Sequence, residues 1–541
     1  MKYDKLFING NIFTSDIGTP YAEAMAVKDD KVAWIGSNDE AKALRSEAAD
    51  IVDLQEKRTL PGFVDCHMHA MLLADFAGQI SSLPPAIDSI EELVQAVAEK
   101  RADQVPGEWI QGWGYDEGKL AEHRAPNRYD LDRGCSDSPV MVMRICAHMC
   151  AVNSYALEMA GITKDTPDPE GGKIGRDENG EPDGMLYETA IRLAMDLLPK
   201  QTDKKIADDF VSLGEILLSQ GLTTISDMEE NQIDRYSDIY ELAANKGFKN
   251  RLAAYCAFYL VQQHGHELIT ADRSYNGSGK FRIAGIKLLG DGSVSGRTAW
   301  CDEPYLPVGD EDPTPEYGMP VCSEEDIKEA IEFCKAHKCQ MSIHVMGAKA
   351  IDRAVDLTWK EKSWLADGIP SVRLEHVAMP SETAMERAAA SDMAWSTQPV
   401  FVYAEIESYE KNLPEATIKA SYPVAKWLDM GIRTSFSSDA PATSWATPSD
   451  PFINLKSAVT RKAWDGTDTG QEHRVDIETA IRLYTAEAAP MIGFTDVGML
   501  KPGYAADFIV LDRDILDIPS DEIDQVQVME TWINGEKVYE R

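Results

Sequence analysis

A chain of 541 residues with 44% hydrophobic and 27% charged side chains has a globular profile and more length than one ordinary compact domain uses. Its formal net charge of −38 argues against nucleic acid or an anionic membrane surface as the main partner. The acidity reads most simply as a solvated surface; charge alone does not show a cationic substrate.

The opening stretch MKYDKLFINGNIFTSD has no apolar run of signal-peptide length, and no segment approaches a membrane span, so a cytoplasmic protein is expected. The nine cysteines are scattered and lack a CxxC pair, which fits reduced thiols better than disulfides or a thiolate zinc site. Residues 4–12, 23–36 and 50–54 are short apolar or alternating stretches broken by Asn-Gly and Asp-Asp turns. The same style returns at 506–512 (ADFIVLD) and 528–540 (VMETWINGEKVYE). Together these predict a small β-sandwich domain built from both chain ends, residues 1–58 and 495–541. The echo of INGN near the start by INGE near the end hints that the two ends pair.

Between the flanks, residues 59–494 alternate short apolar strands with longer amphipathic stretches, the pattern of βα units. Strands are predicted at 62–67, 223–228, 252–259, 282–289, 341–345, 372–377, 393–399 and 433–440. Eight is the number a TIM-type (β/α)8 barrel needs, and the fold class is therefore α/β. The stretch from about 70 to 205 is too long for one crossover. It reads as an insertion over the barrel mouth, holding one more strand at 139–145, helices and a Gly/Asp/Glu-rich turn region at 167–184.

The strongest local signal is LPGFVDCHMH, ending in His67 and His69. Residues two apart on a strand point to one side, so both imidazoles can reach one metal from the first strand. Lys287 closes the fourth strand, His344 the fifth, His376 the sixth and Asp439 the eighth. Each has an ordinary alternative: a hydrogen-bonded histidine, a paired lysine, an aspartate that caps a turn. As a set at the C-terminal strand ends, where this fold gathers its functional groups, they make an imidazole and carboxylate metal site.

The order HxH, Lys, His, His, Asp on strands one, four, five, six and eight resembles the amidohydrolase superfamily with a binuclear metal centre. More narrowly, the chain is similar to the amidohydrolase 3 (YtcJ-like) family, through GWGYDEGKLAEHRAPNRYDLD at 112–132, HMCAVNSYALEMAGI at 148–162 and IKLLGDGSVSGRTA at 286–299. SIHVMGAKAID at 342–352, RLEHV at 373–377, SSDAP at 437–441 and VGMLKPGYAADFIVLD at 497–512 complete the likeness. The resemblance implies that His67, His69 and Asp439 hold one metal and His344 and His376 the other. Lys287 would bridge them as an Nζ-carboxylated lysine, with zinc the usual ion. It also implies hydrolysis of a carbon–nitrogen, amide-like bond, with Asp439 as general base and then general acid.

One departure follows His344, where the family's Ala-Ile-Gly-Asp-Arg is replaced by Val345, Met346, Gly347, Ala348 and Lys349. The ligand survives, while its supporting contacts are put in doubt. No cysteine stands on the second strand, which favours the lysine-bridged centre over the mononuclear, D-aminoacylase-like one. The same centre could open an ester, lactone or carbamate, and a non-catalytic scaffold with this fold is the reading from another class. Trp113, Tyr115, His148 and Arg297 are candidate substrate contacts, each with a structural alternative. His264 and His266 form a second HxH without companion ligands and read as surface; His123, His337 and His473 carry no functional expectation. Oligomeric state is left open, with a homodimer as one option.

Overall fold

The computed structural model describes residues 2–145, 149–169, 171–199, 201–230, 235–264, 279–307, 315–366 and 368–541, the side chains of 229 and 230 aside. His148, His266 and Cys146 fall outside the described residues. The chain divides into two compact units: 1–71 with 213–443 and 449–541, and 72–212 with 444–448.

The first unit contains an eight-stranded, all-parallel sheet in sequence order. Its strands are Phe63–Asp65, Leu222–Glu230, Arg251–Ala257, Phe281–Leu289, Gln340–Val345, Val372–His376, Ala394–Thr397 and Arg433–Phe436. This is the predicted TIM-type barrel. Strands such as Arg251–Ala257 are buried at every position, because a parallel sheet covered by helices has no wet face. Several of the intervening helices are capped by a side chain; Glu324–His337, for example, starts at a Ser323–Asp326 capping box. The seam between the first and last strands is joined beyond their ends, where Asp439 N donates to His67 O (2.7 Å) and His69 N to Ala440 O (2.8 Å).

The same unit carries a β-sandwich made from both chain ends. A four-stranded sheet (Lys31–Gly36, Ala24–Lys28, Tyr3–Ile8, Ala48–Asp53) faces a six-stranded one (Glu536–Glu540, Val528–Ile533, Phe508–Leu511, Arg58–Pro61, Asn11–Phe13, Tyr21–Ala22). Phe7, Phe508 and Trp532 meet between them with ring centroids 5.0–5.3 Å apart. Arg58–Pro61 pairs with strands from both termini, so the sandwich runs to residue 61 rather than 58. INGN and INGE do not pair with each other. Asn534 and Gly535, both at positive φ, turn the hairpin between the last two strands, while Tyr3–Ile8 pairs with Ala24–Lys28 and Ala48–Asp53.

The second unit is more regular than expected. In place of one extra strand it holds a six-stranded sheet: Gly172–Arg176, Pro182–Glu188, Met149–Val152, Val140–Arg144, Ile110–Tyr115 and Ile80–Ser81. The Gly/Asp/Glu-rich region at 167–184 contributes a hairpin, Gly172–Arg176 against Pro182–Glu188. Helix Ile90–Ala102 packs Leu93 and Val97 into the same core as Ile110 and Val142. No helix among the described residues is long and apolar enough to cross a membrane.

Candidate active site

At the C-terminal ends of the barrel strands, His67, His69, Lys287, His344, His376 and Asp439 line one cavity of about 200 Å³. His67 and His69 do not stand on the first strand as predicted; it ends at Asp65, and both lie in the loop beyond. Strand alternation therefore does not bring them together. Two backbone bonds to the loop after the eighth strand do, and they place His67 Nε2 3.1 Å and His69 Nε2 3.2 Å from Asp439 Oδ1.

Two ligand-bearing positions and one neighbour carry unusual backbone: His376 and Asp439 have φ of 72° and 56°, and Val377, next to His376, has φ of 50°. Non-glycine residues in this region are strained by about 1–3 kcal/mol each, and such strain gathers at functional sites. Its consequence is visible on the sixth strand. Successive strand residues normally face opposite ways, yet Glu375 bonds His67 while His376 lies against both His67 and His344, with ring centroids 4.9 and 4.3 Å away.

Each imidazole is tied through one nitrogen to a group that accepts. His67 Nδ1 lies 2.6 Å from Glu375 Oε2, His69 Nδ1 2.9 Å from Met228 O, and His376 Nδ1 2.8 Å from Gln398 Oε1. His344 is held by the other nitrogen, with Nε2 3.0 Å from Gly292 O. In the neutral rings the proton must sit on the tied nitrogen, which leaves a lone pair on the other. Burial, with Lys287 nearby, pushes the His344 pKa down to about 4, and burial together with His344 pushes His376 well down, so both rings are neutral near pH 7.

Asp439 Oδ1 is buried beside His67 Nε2 and His69 Nε2, and no further donor reaches it among the described residues. Burial opposes ionisation of Asp439, but the neighbouring His67 and His69 outweigh it and hold its pKa well below the usual range. For His69, burial opposes charge and Asp439 outweighs it, raising the pKa. Ring nitrogens converging on this carboxylate oxygen form a site that a cation can take once the rings are neutral. His67, His376 and Asp439 each offer a ligand atom within 4.8 Å of the others, and this donor set suits a divalent metal. Lys287, 3% exposed, places Nζ 3.2 Å from His67 Nε2.

The sequence reading missed the layer beneath. Glu375 accepts from His67, Ser342 Oγ (2.6 Å) and Arg373 Nε (2.5 Å), and Arg373 also donates to Cys66 O and Met491 O, both at 3.0 Å. Burial alone would raise the Glu375 pKa, yet Arg373 and His67 hold it well below normal. Three buried aspartates brace the ligand loops: Asp65 accepts from His67 N and Ser438 N, Asp227 from Met71 N, and Asp291 from Met346 N and Gly347 N. Burial pushes each of these three up to about 6. Asp291 supplies the support that the altered sequence after His344 put in question. Gly347 is needed there, since a Cβ would stand 2.2 Å from Trp300 O. Asp65 and Asp227 on the first and second strands, with Asp291 two residues beyond the fourth, were the available signal.

The structure describes three of the remaining substrate-contact candidates, Arg297, Trp113 and Tyr115. Arg297 is not among the cavity-lining residues; its guanidinium pairs with Glu316 (2.9 Å) and Asn412 and lies over Tyr305, so it anchors its loop. Trp113 and Tyr115 are buried in the second unit, Trp113 stacked on Phe76 and Tyr115 within an apolar cluster. His264 ends a helix and is exposed.

A TIM barrel with imidazoles and a carboxylate gathered at the C-terminal mouth defines the architecture of a barrel hydrolase. The chain belongs to the amidohydrolase family, whose model it matches over residues 50–539. It is 29% identical to YtcJ of Bacillus subtilis (strain 168) over 537 residues, 96% of either chain. It is 25% identical to the N-substituted formamide deformylase of Arthrobacter pascens over 558 residues, 99% of this chain and 98% of that one. Among solved structures, an uncharacterized metal-dependent hydrolase from Pyrococcus horikoshii OT3 matches with a TM-score of 0.75 at 26% identity, covering 96% of this chain and 99% of that one.

Proposed function

We propose that this protein hydrolyses a carbon–nitrogen, amide-like bond of a small molecule, such as an N-acyl or N-formyl amine. The observation that carries the reading is the set of four imidazoles, each tied through one nitrogen, gathered in one cavity with a buried carboxylate that meets no other donor among the described residues. Similarity to a formamide deformylase over nearly the whole chain supports an amide rather than an ester.

His67, His69 and Asp439 would hold one ion and His344 and His376 a second, with zinc expected at both. Lys287 would bridge the two. An ammonium 3.2 Å from His67 Nε2 would repel dications, whereas the neutral amine can add to carbon dioxide, lose a proton and present two anionic oxygens. Divalent metal supplies Lewis-acid polarisation of the carbonyl and a lowered pKa for water. Asp439 then takes the proton from the attacking water and returns it to the leaving nitrogen. Glu375 keeps the proton of His67 on Nδ1, so that Nε2 stays a ligand.

The test is a matched panel of N-acyl and N-formyl amines against esters and lactones, assayed on zinc-loaded and chelated protein. Amide cleavage that is lost on chelation and restored by zinc is expected. Preferential ester or lactone cleavage would overturn the amide reading.

A further inference from the structure

The two halves of the proposed metal centre are backed by different chemistry. Behind His67 stands a carboxylate: Glu375 Oε2 lies 2.6 Å from Nδ1, and Oε1 accepts from Ser342 and Arg373. Behind His376 stands an amide, with Gln398 Oε1 2.8 Å from Nδ1, and behind His344 the Gly292 carbonyl. Asp439 does not set the halves apart, since it offers a ligand atom within 4.8 Å of those of both His67 and His376. The difference therefore lies behind the rings. A carboxylate there makes the free ring nitrogen a more basic ligand than a neutral acceptor does.

Gln398 is fully buried just past the seventh barrel strand, Ala394–Thr397. Its Nε2 donates to Ser437 Oγ (2.8 Å), which lies 2.9 Å from Ser396 Oγ, and that hydroxyl lies 3.3 Å from Cys66 Sγ. In this orientation the amide oxygen faces His376, the ring proton sits on Nδ1, and Nε2 keeps the lone pair a metal needs. Glu375 only accepts, so it allows the neutral His67 ring one tautomer. An amide can turn over, and the Ser437 hydroxyl can meet either of its ends. Turned over, Gln398 would donate to Nδ1 and move the proton to Nε2, the tautomer that cannot bind an ion. Binding at His376 must hold the amide in one of two orientations, a cost that His67 does not carry.

We propose that Gln398 is a positioning residue for the second ion, and that as an amide it makes the His344 and His376 half the weaker and more readily exchanged of the two. This rests on the two-ion reading above and adds an order to it: the half at His67 and His69 loads first.

Zinc-free wild type, Q398E, Q398L and H376A are titrated with zinc and bicarbonate against a chelating competitor, with no substrate present. Wild type is expected to take two ions with affinities at least about tenfold apart, and H376A to lose the weaker one. Q398E supplies an acceptor-only partner, to which Ser437 can still donate, and is expected to tighten the weaker ion about tenfold. Q398L leaves Nδ1 without an acceptor and is expected to loosen that ion about 10–100-fold. The tighter ion should stay where it is in both variants, whereas a merely structural role would move the two ions together. Nitrogen-15 NMR of His376 in the zinc-free proteins reads the cause directly, as a larger share of Nδ1–H in Q398E than in wild type and a smaller share in Q398L. Equal affinities in wild type, loss of the tighter ion in H376A, or a weaker ion unchanged in both Gln398 variants overturns the proposal alone. A single ion at saturation overturns the two-ion reading and the proposal with it. If Q398E does not fold, Q398L and the NMR measurement decide. Failure to cleave amides would fall on the hydrolase reading only, because no substrate enters this assay.

Discussion

Replacing Glu375 by glutamine keeps the shape of the side chain and removes one charge from a place where no water can compensate. Both Glu375 and Arg373 are fully buried, and breaking one side of a buried ion pair costs about 3–5 kcal/mol. The damage extends to the ligands, because the two carboxylate oxygens together accept from His67, Ser342 and Arg373. If the new NH2 faces His67, Nδ1 must accept and the ring proton moves to Nε2, the nitrogen that faces Asp439. If it faces the other way, it meets the Arg373 and Ser342 donors. Loss of such a supporting partner typically lowers metal affinity about 10–100-fold. Urea denaturation of the apoprotein reads the first effect, and zinc competition against a chelator reads the second. The double variant R373L/E375L should regain part of the stability lost in E375Q, because an apolar pair leaves no orphan charge, yet still bind zinc weakly. An E375Q protein within about 1 kcal/mol of wild type and with unchanged zinc affinity would refute the reasoning.

Asp439→Asn should retain the fold by circular dichroism and lower kcat about 10²–10⁴-fold, because the amide cannot carry the proton; wild-type turnover would remove Asp439 from the chemistry. Asp507, buried in the sandwich, accepts from Arg251 of the barrel and from Asn534 N (2.8 Å). Asp507→Ala should therefore destabilise by about 3–5 kcal/mol in urea, and an unchanged midpoint would mean that this pair contributes nothing. Tyr115 buries a hydroxyl that meets no partner among the described residues. Tyr115→Phe should be neutral or stabilise by about 1–2 kcal/mol without changing KM, whereas a clear rise in KM would restore Tyr115 as a substrate contact.

The barrel was legible because its strands are buried on both faces and read as apolar runs between amphipathic stretches. The candidate ligands were legible because they stand at or just past those strand ends. The geometry that joins them was not. His67 and His69 meet Asp439 through loop hydrogen bonds and through positive φ at His376, Val377 and Asp439, and no residue type announces such a backbone. Arg373 and Glu375 alternate as strand residues should, but an acid and a base in a barrel core look like a misplaced surface until the partners are seen. The hairpin at Gly172–Arg176 and Pro182–Glu188 was hidden because its composition is that of a loop and its pairing is set by neighbouring strands.

The central claim is a two-metal centre bridged by Lys287, and metal content per chain tests it most directly. Wild type and Lys287→Ala are purified, supplied with zinc and bicarbonate, and measured by elemental analysis. About two ions per wild-type chain, with a clear loss in the variant, is the result the bridged centre requires. About one ion in both proteins would contradict it and make Lys287 a bystander.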